Sequence, residues 1–243
     1  FIAIDLEPPL GIATDFLSHR VSLSDLFAFI KQNIKNFHRG TKILNETIDA
    51  LHNMGYRVIA VAPDIPFEFD EATSRKISYL FGLPIYEVEA DALSLMVYNS
   101  IISATLHIPL RTARWRMIRI LTTAHKYLKK EIIPSIGAIW PGKISNEPIY
   151  NNPKHIADDV SVLLATRFRE IFIYNLEGLI NRKDSETWIK KIMDAKPTKI
   201  KTSYRYEIAR KVIKHLDEKG YIIRHPKTGA MFLNIKKAIG ENE

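Results

Sequence analysis

An α/β fold built on a parallel sheet is predicted by three observations on this chain of 243 residues. Apolar, strand-like segments alternate with helix-spaced ones in about five successive β-then-α units, an order that lays strands side by side and helices on their faces. The strands end in polar or aromatic residues: Asp5 and Glu7, Asp64, Tyr98 and Asn99, Trp140, then Asn175 and Glu177. The turn after the first strand, Pro8-Pro9-Leu10-Gly11, carries neither a GxGxxG nor a GxxxxGK[ST] phosphate loop. A (β/α) barrel of TIM type, with its chemistry at the carboxyl ends, is therefore preferred over an open nucleotide-binding sheet.

The elements follow in order. Phe1 to Glu7 alternates apolar residues and is stopped by Pro8-Pro9. Ser22 to about Lys35 and Gly40 to Met54 have helical spacing; Leu44, Ile48 and Leu51 form the apolar stripe of the second, and Gly55 ends it. Tyr56 to Pro63 is a strand, Phe69 to Phe81 a helix, and Asp91 to Tyr98 a strand. Leu110 to Lys130 is a helix whose Arg111, Arg114, Arg116 and Arg119 are expected to form a solvated outer face. Ile132 to Trp140 is a strand, Pro153 to Arg167 a helix, Glu170 to Leu176 a strand, and Asp184 to Asp194 a helix.

The chain opens directly on a strand, with no initiator Met and no polar lead-in. The expectation is a barrel lacking its N-terminal strands, spanning 1–196. The pattern changes after Lys196-Pro197: a basic helix over Lys199 to about Lys219 leads into strands at Tyr221–Arg224 and Ala230–Ile235 around the turn His225 to Gly229. Residues 197–243 are expected to form a small basic α+β appendage.

Composition narrows the chemistry. At 46% hydrophobic and 26% charged the chain has a globular balance. It has no cysteine, which excludes disulfides, thiolate nucleophiles, Cys-type zinc sites and iron–sulfur clusters. Its eight histidines show no H-x-x-x-H pair, so no metal site is predicted. No G-x-S-x-G elbow is present. No apolar run approaches the roughly 18–20 residues of a membrane span. The formal charge of +8 fits an acidic partner and equally a Lys- and Ile-rich composition of thermophile type.

The most informative feature is Asp5-Leu6-Glu7 at the end of the first strand. Residues two apart in a strand point the same way, so Phe1, Ala3, Asp5 and Glu7 share one face, and Ile2, Ile4 and Leu6 share the helix-packing face. Two ionised carboxylates on one face repel, which raises the proton affinity of one and keeps it available as a general acid. Asp64, with Glu68, Asp70 and Glu71 behind it, forms an acidic cluster that reads either as a reach toward the site mouth or as a solvated loop and helix start.

Asp-x-Glu closing one strand and Met96-Val97-Tyr98-Asn99 closing a later one resemble the C-terminal half of chitinase-type (family 18) glycoside hydrolases, and the hyaluronidases share the Asp-x-Glu. The likeness covers roughly residues 1–180. It implies a barrel hydrolase acting on an amino-sugar or related polysaccharide or oligosaccharide without a cofactor, expected outside the cell or at its surface. In such enzymes the glutamate protonates the glycosidic oxygen while the substrate's own acetamido group attacks. Carried over, Glu7 is the acid/base, Asp5 polarises the acetamido group, Tyr98 hydrogen-bonds its carbonyl, and Trp140 floors a sugar ring. Met96, Asn99, Asp64, Asn175 and Glu177 complete the expected binding residues. Ala3 stands where the longer family motif has a further aspartate, and Asn99 where an aspartate is usual.

Two other readings stand beside this one. The barrel binds carbohydrate or a protein without turnover, or the C-terminal unit holds nucleic acid. The latter rests on Arg205, Arg210, Lys211 and Lys214 in the helix and Lys227 at the hairpin tip, a layout similar to the last helix and wing of winged-helix domains. A nucleic-acid partner is the less favoured of the two.

Overall fold

The computed structural model describes residues 1–6, 23–140, 147–200, 222–224 and 231–233, with side chains for 1–6, 31, 34–140 and 147–200. Glu7, the turn at 8–11, Pro141-Gly142, the basic helix expected from Lys199 (201 onward) and the hairpin tip lie outside the described residues. The chain divides into two compact units, Phe1–Ile200 and Lys201–Glu243.

In the first unit, strand alternation sorts side chains to two faces. β1 (Ile2–Asp5) turns Ile2, Ile4 and Leu6 inward and leaves Phe1, Ala3 and Asp5 exposed. β2 (Val58–Pro63), β3 (Ala92–Met96), β4 (Glu131–Gly137) and β5 (Phe172–Tyr174) follow in sequence order, each parallel to the one before. One face of this sheet, with Val58, Ala60, Leu93, Leu95 and Ile136 in it, packs on the helices and forms the main core. The other face carries a smaller cluster of Ile59, Ala92 and Ile133, with Phe172 packed against it.

The sheet is curled into a half-barrel, with the smaller cluster on its concave side. Two contacts between strands that are not neighbours express the curl. Phe1, leading into β1, stacks on Phe172 of β5 with ring centroids 5.9 Å apart. Four strand spacings of about 4.8 Å would keep β1 and β5 roughly 19 Å apart in a flat sheet, beyond the reach of two phenylalanines. Arg57, just before β2, pairs with Glu131 at the start of β4 (2.5 Å) and with Glu170 just before β5 (3.6 Å). The fold class is thus α/β with a curled parallel sheet, as the sequence predicts at that level.

The helices depart from expectation in instructive ways. The two segments expected on either side of Lys35–Gly40 form one helix, α1 (Leu23–Asn53). Gly40 has open space around it, and a single exposed glycine costs a helix only about 1 kcal/mol. The apolar stripe runs on past it: Phe37 and Ile48 are buried, and Leu44 and Leu51 pack against the core. Gly55, at φ 81°, ends the helix in the left-handed conformation that suits glycine.

After β2 a 3-10 turn (Ile65–Glu68) precedes α2 (Glu71–Leu80), which Asp70 caps by accepting from Thr73 N–H at 3.0 Å. A short helix, α3 (Asn99–Thr105), follows β3 where the sequence shows no helical spacing. Then come α4 (Leu110–Tyr127), α5 (Pro153–Leu164), α6 (Leu176–Ile180) and α7 (Ser185–Met193). Pro153 sits at the start of α5 behind the capping Asn152, as proline and asparagine favour. No described helix is long and apolar enough to cross a membrane.

In the second unit, β6 (Ile222–Arg224) and β7 (Met231–Leu233) pair antiparallel with Ile223 opposite Phe232, where the sequence predicts the two arms of a hairpin.

Candidate functional site at the carboxyl ends of the strands

Register aligns the concave face. Asp5, Val61, Ser94 and Ile133 stand level on β1 to β4; one step toward the carboxyl ends come Pro63, Met96, Ser135 and Phe172; then Gly137 and Tyr174. Asp5 is exposed, Met96 half-buried and Ser135 buried.

Tyr98 leaves the end of β3 beside this row. Its hydroxyl lies 3.4 Å from Ser135 Oγ, and its ring stacks on Tyr174 at 5.3 Å between centroids, 22° from parallel. Tyr174 is the residue that sequence reasoning missed. The signal was available: it lies two residues after Phe172 in a strand, which puts both on one face.

Trp140, Asn175 and Glu177 meet at the neighbouring corner. The ends of β4 and β5 are joined by Ile139 N–H donating to Tyr174 O at 2.9 Å. Gly137, at φ 153°, lies so close that a Cβ there would stand 2.4 Å from Tyr174 O, so only glycine fits. Asn175 caps α6, its Oδ1 accepting from Gly178 N–H at 2.8 Å. Gly178 packs on Trp140, where a Cβ would meet the Trp140 Cβ at 2.5 Å. Trp140 remains half-buried and Glu177, in the first turn of α6, is exposed.

Asp64 and Asn99 are directed elsewhere. Asp64 is 4% exposed and receives both ends of the Arg116 guanidinium, Nη1 to Oδ2 at 2.7 Å and Nη2 to Oδ1 at 3.2 Å. Glu68 pairs with Arg116 and Arg119, and Glu71 with Arg75. Asp64, Glu68 and Glu71 are thus each paired with arginine, and the exposed Asp70 caps α2. Among the described residues no group of three His, Asp or Glu side chains is placed to hold a metal ion. Asn99 is buried at the start of α3, with Nδ2 donating to Met117 Sδ on α4 at 3.4 Å.

The same geometry corrects the solvated arginine face expected of α4. Arg111 is exposed, but Arg114, Arg116 and Arg119 retain only 12%, 3% and 13% of their side-chain exposure and all pair with acids. Arg114 donates to the wholly buried Asp159 at 2.7 Å, and the Tyr150 hydroxyl donates to the other oxygen of that carboxylate at 2.7 Å. Burial raises the Asp159 pKa and Arg114 opposes the rise. Burial first, then the Asp159 charge, pushes the Tyr150 hydroxyl far above its usual value, so it stays a donor.

A pocket of about 310 Å³ is lined by Ser103, Leu110, Ile149, Tyr150, Asn152 and His155 among others. None of the predicted site residues lines it.

No protein-family model and no curated protein matches this chain.

Proposed function

We propose that the chain is a glycoside hydrolase acting on an amino-sugar polysaccharide, its five strands serving as one half of a TIM-type barrel. One observation carries the reading. Asp5 stands exposed at the carboxyl end of β1, on the concave face whose rim also holds the stacked Tyr98 and Tyr174. An exposed acid on a face whose rim carries aromatic rings, at the carboxyl ends of parallel strands, is an arrangement suited to a sugar ring and to proton transfer at its linkage.

In this reading Glu7 gives its proton to the glycosidic oxygen as the bond from that oxygen to the anomeric carbon breaks. The acetamido carbonyl oxygen of the same sugar bonds to the anomeric carbon in its place. Asp5 accepts from the acetamido N–H and stabilises the positive charge that develops, and the Tyr98 hydroxyl donates to the acetamido oxygen. Water then opens the ring, losing its proton to Glu7, which is restored as the acid. Trp140 floors an adjoining sugar. The chemistry is proton transfer with electrostatic stabilisation and calls on no cofactor.

The test is release of reducing ends from soluble N-acetylglucosamine oligomers. Glu7→Gln is expected to lower the rate by about 10²–10⁴-fold while the melting temperature holds. A native chain that binds such oligomers without cleaving them would be a carbohydrate-binding barrel, and the hydrolase reading would fall.

A further inference from the structure

The segment after β4 leaves the sheet at Ala138 and comes back to it at Tyr150, where Tyr150 N–H donates to Ala138 O at 2.8 Å. Arg182, between α6 and α7, ties the same two ends from the side. Its Nη2 donates to Ile139 O at 2.7 Å and to Tyr150 O at 3.2 Å. The guanidinium carbon lies 4.0 Å from the ring centre of Trp188 and 6.0 Å from that of Trp140. Trp188 is fully buried, with its indole N–H donated to Asp184 Oδ2 at 3.1 Å, and is thus a fixed wall.

Among the described residues Arg182 has no carboxylate partner. Two carbonyl dipoles and two indole rings hold the cation instead. Arg182 Nη2 donates to both carbonyls while the flat guanidinium lies against the rings; a lysine ammonium offers a point charge without that flat face, and a glutamine amide carries no charge for the rings. The ion pairs of Arg114 and Arg116 fasten helices to loops; Arg182 fastens the residue that precedes Trp140 and reaches the indole itself.

We infer that Arg182 is a positioning residue for Trp140, fixing the indole so that it presents a face to a sugar ring at the mouth of the half-barrel. This rests on the reading of Trp140 as a sugar floor. The indole is half-exposed and flanked by Gly178, and without Arg182 its side chain has rotamers to choose among. Holding one of them removes an ordering cost that would otherwise fall on ligand binding.

The experiment measures the affinity of the full chain for the N-acetylglucosamine hexamer by calorimetry, KM against kcat for its cleavage, and the melting temperature. The variants are Trp140→Ala, Arg182→Gln, Arg182→Lys, and each Arg182 change combined with Trp140→Ala. Trp140→Ala is expected to weaken binding by about 3- to 10-fold, the size of one aromatic contact. Arg182→Gln should weaken it comparably, with the loss falling on KM, and Arg182→Lys should not restore it. In the Trp140→Ala background neither Arg182 change should weaken binding further, because coupled residues are not additive. If Trp140→Ala weakens binding and the Arg182 variants only lower the melting temperature, the inference is overturned while the floor stands. If Trp140→Ala leaves affinity unchanged, or the native chain does not bind, the reading of the floor fails and the inference fails with it.

Discussion

The two ends of the curled sheet share one backbone pattern and differ in what the concave face is given to do. Toward the amino end Ile59 and Ala92 are buried on the concave face, with Ile133, one step above them and level with Asp5, packed against them, and Arg57 gathers Glu131 and Glu170. At the carboxyl end the same alternation brings up Asp5, Met96, Ser135, Tyr98 and Tyr174, with Trp140 at the adjoining corner. Apolar contact settles the first end and leaves the polar and aromatic groups for the second. The pleat supplies equivalent positions throughout, so the chemistry is set by which of them carry polar atoms.

The acids of the carboxyl end sharpen the contrast. Asp64 closes β2 much as Asp5 closes β1, yet Asp64 is buried under Arg116 and Asp5 is exposed on the concave face. Removing the cation from the first should be felt as lost stability. Arg116→Met, which leaves the buried Asp64 and the half-buried Glu68 without it, is expected to cost about 3–5 kcal/mol in denaturant unfolding. A loss below about 1 kcal/mol would mean that the network behaves as a surface pair.

At the amino end the expected effects are packing effects. Ile59→Ala opens the concave cluster one step below the Asp5 row and should cost about 2–5 kcal/mol, with glycan cleavage by the molecules that remain folded unchanged. If cleavage per folded molecule falls with it, the two ends are mechanically coupled and the division drawn here is wrong.

The smallest effect concerns acid. Asp91, just before β3, accepts from Val58 N–H at 2.7 Å and from His52 at 2.9 Å. The Val58 bond, then His52, lowers its pKa below the ordinary carboxylate value. A carboxylate with a depressed folded pKa adds stability above its unfolded value, about 3.9, and loses it as pH falls through the folded value. Urea unfolding between pH 5 and pH 2 should therefore show a shallower acid decline for Asp91→Asn than for the native chain. Parallel declines would place the acid sensitivity elsewhere.

Much of the frame was readable because it rests on local pattern. The five strands and their parallel order follow from alternation and from helix-length spacers, and Gly55 marks a helix end that needs a positive φ. Gly40 misled because a helix break and a tolerated exposed glycine look alike without knowing that Phe37 and Leu44 bury on one side. α3 was missed because Tyr98-Asn99-Ser100 prolongs a strand pattern on paper.

The site was less readable. The partners of Arg114 and Arg116 lie 45 to 52 residues away on other elements, and no helical spacing announces them. Asp64 and Arg116 each looked like half of something different. Tyr174 could be found only by asking which strand residues share a face with Phe172, and Arg182 only by knowing what closes the base of the segment after β4.

The Phe1–Phe172 stack has a kinetic consequence. It joins the run into the first strand to the last strand of the sheet, across 171 positions of chain, so the radius of the half-barrel is not fixed until β5 has docked. Contacts of such sequence separation form late and slow a folding reaction. The width of the opening at the carboxyl ends of the strands, which that radius governs, is thus among the last dimensions the protein acquires.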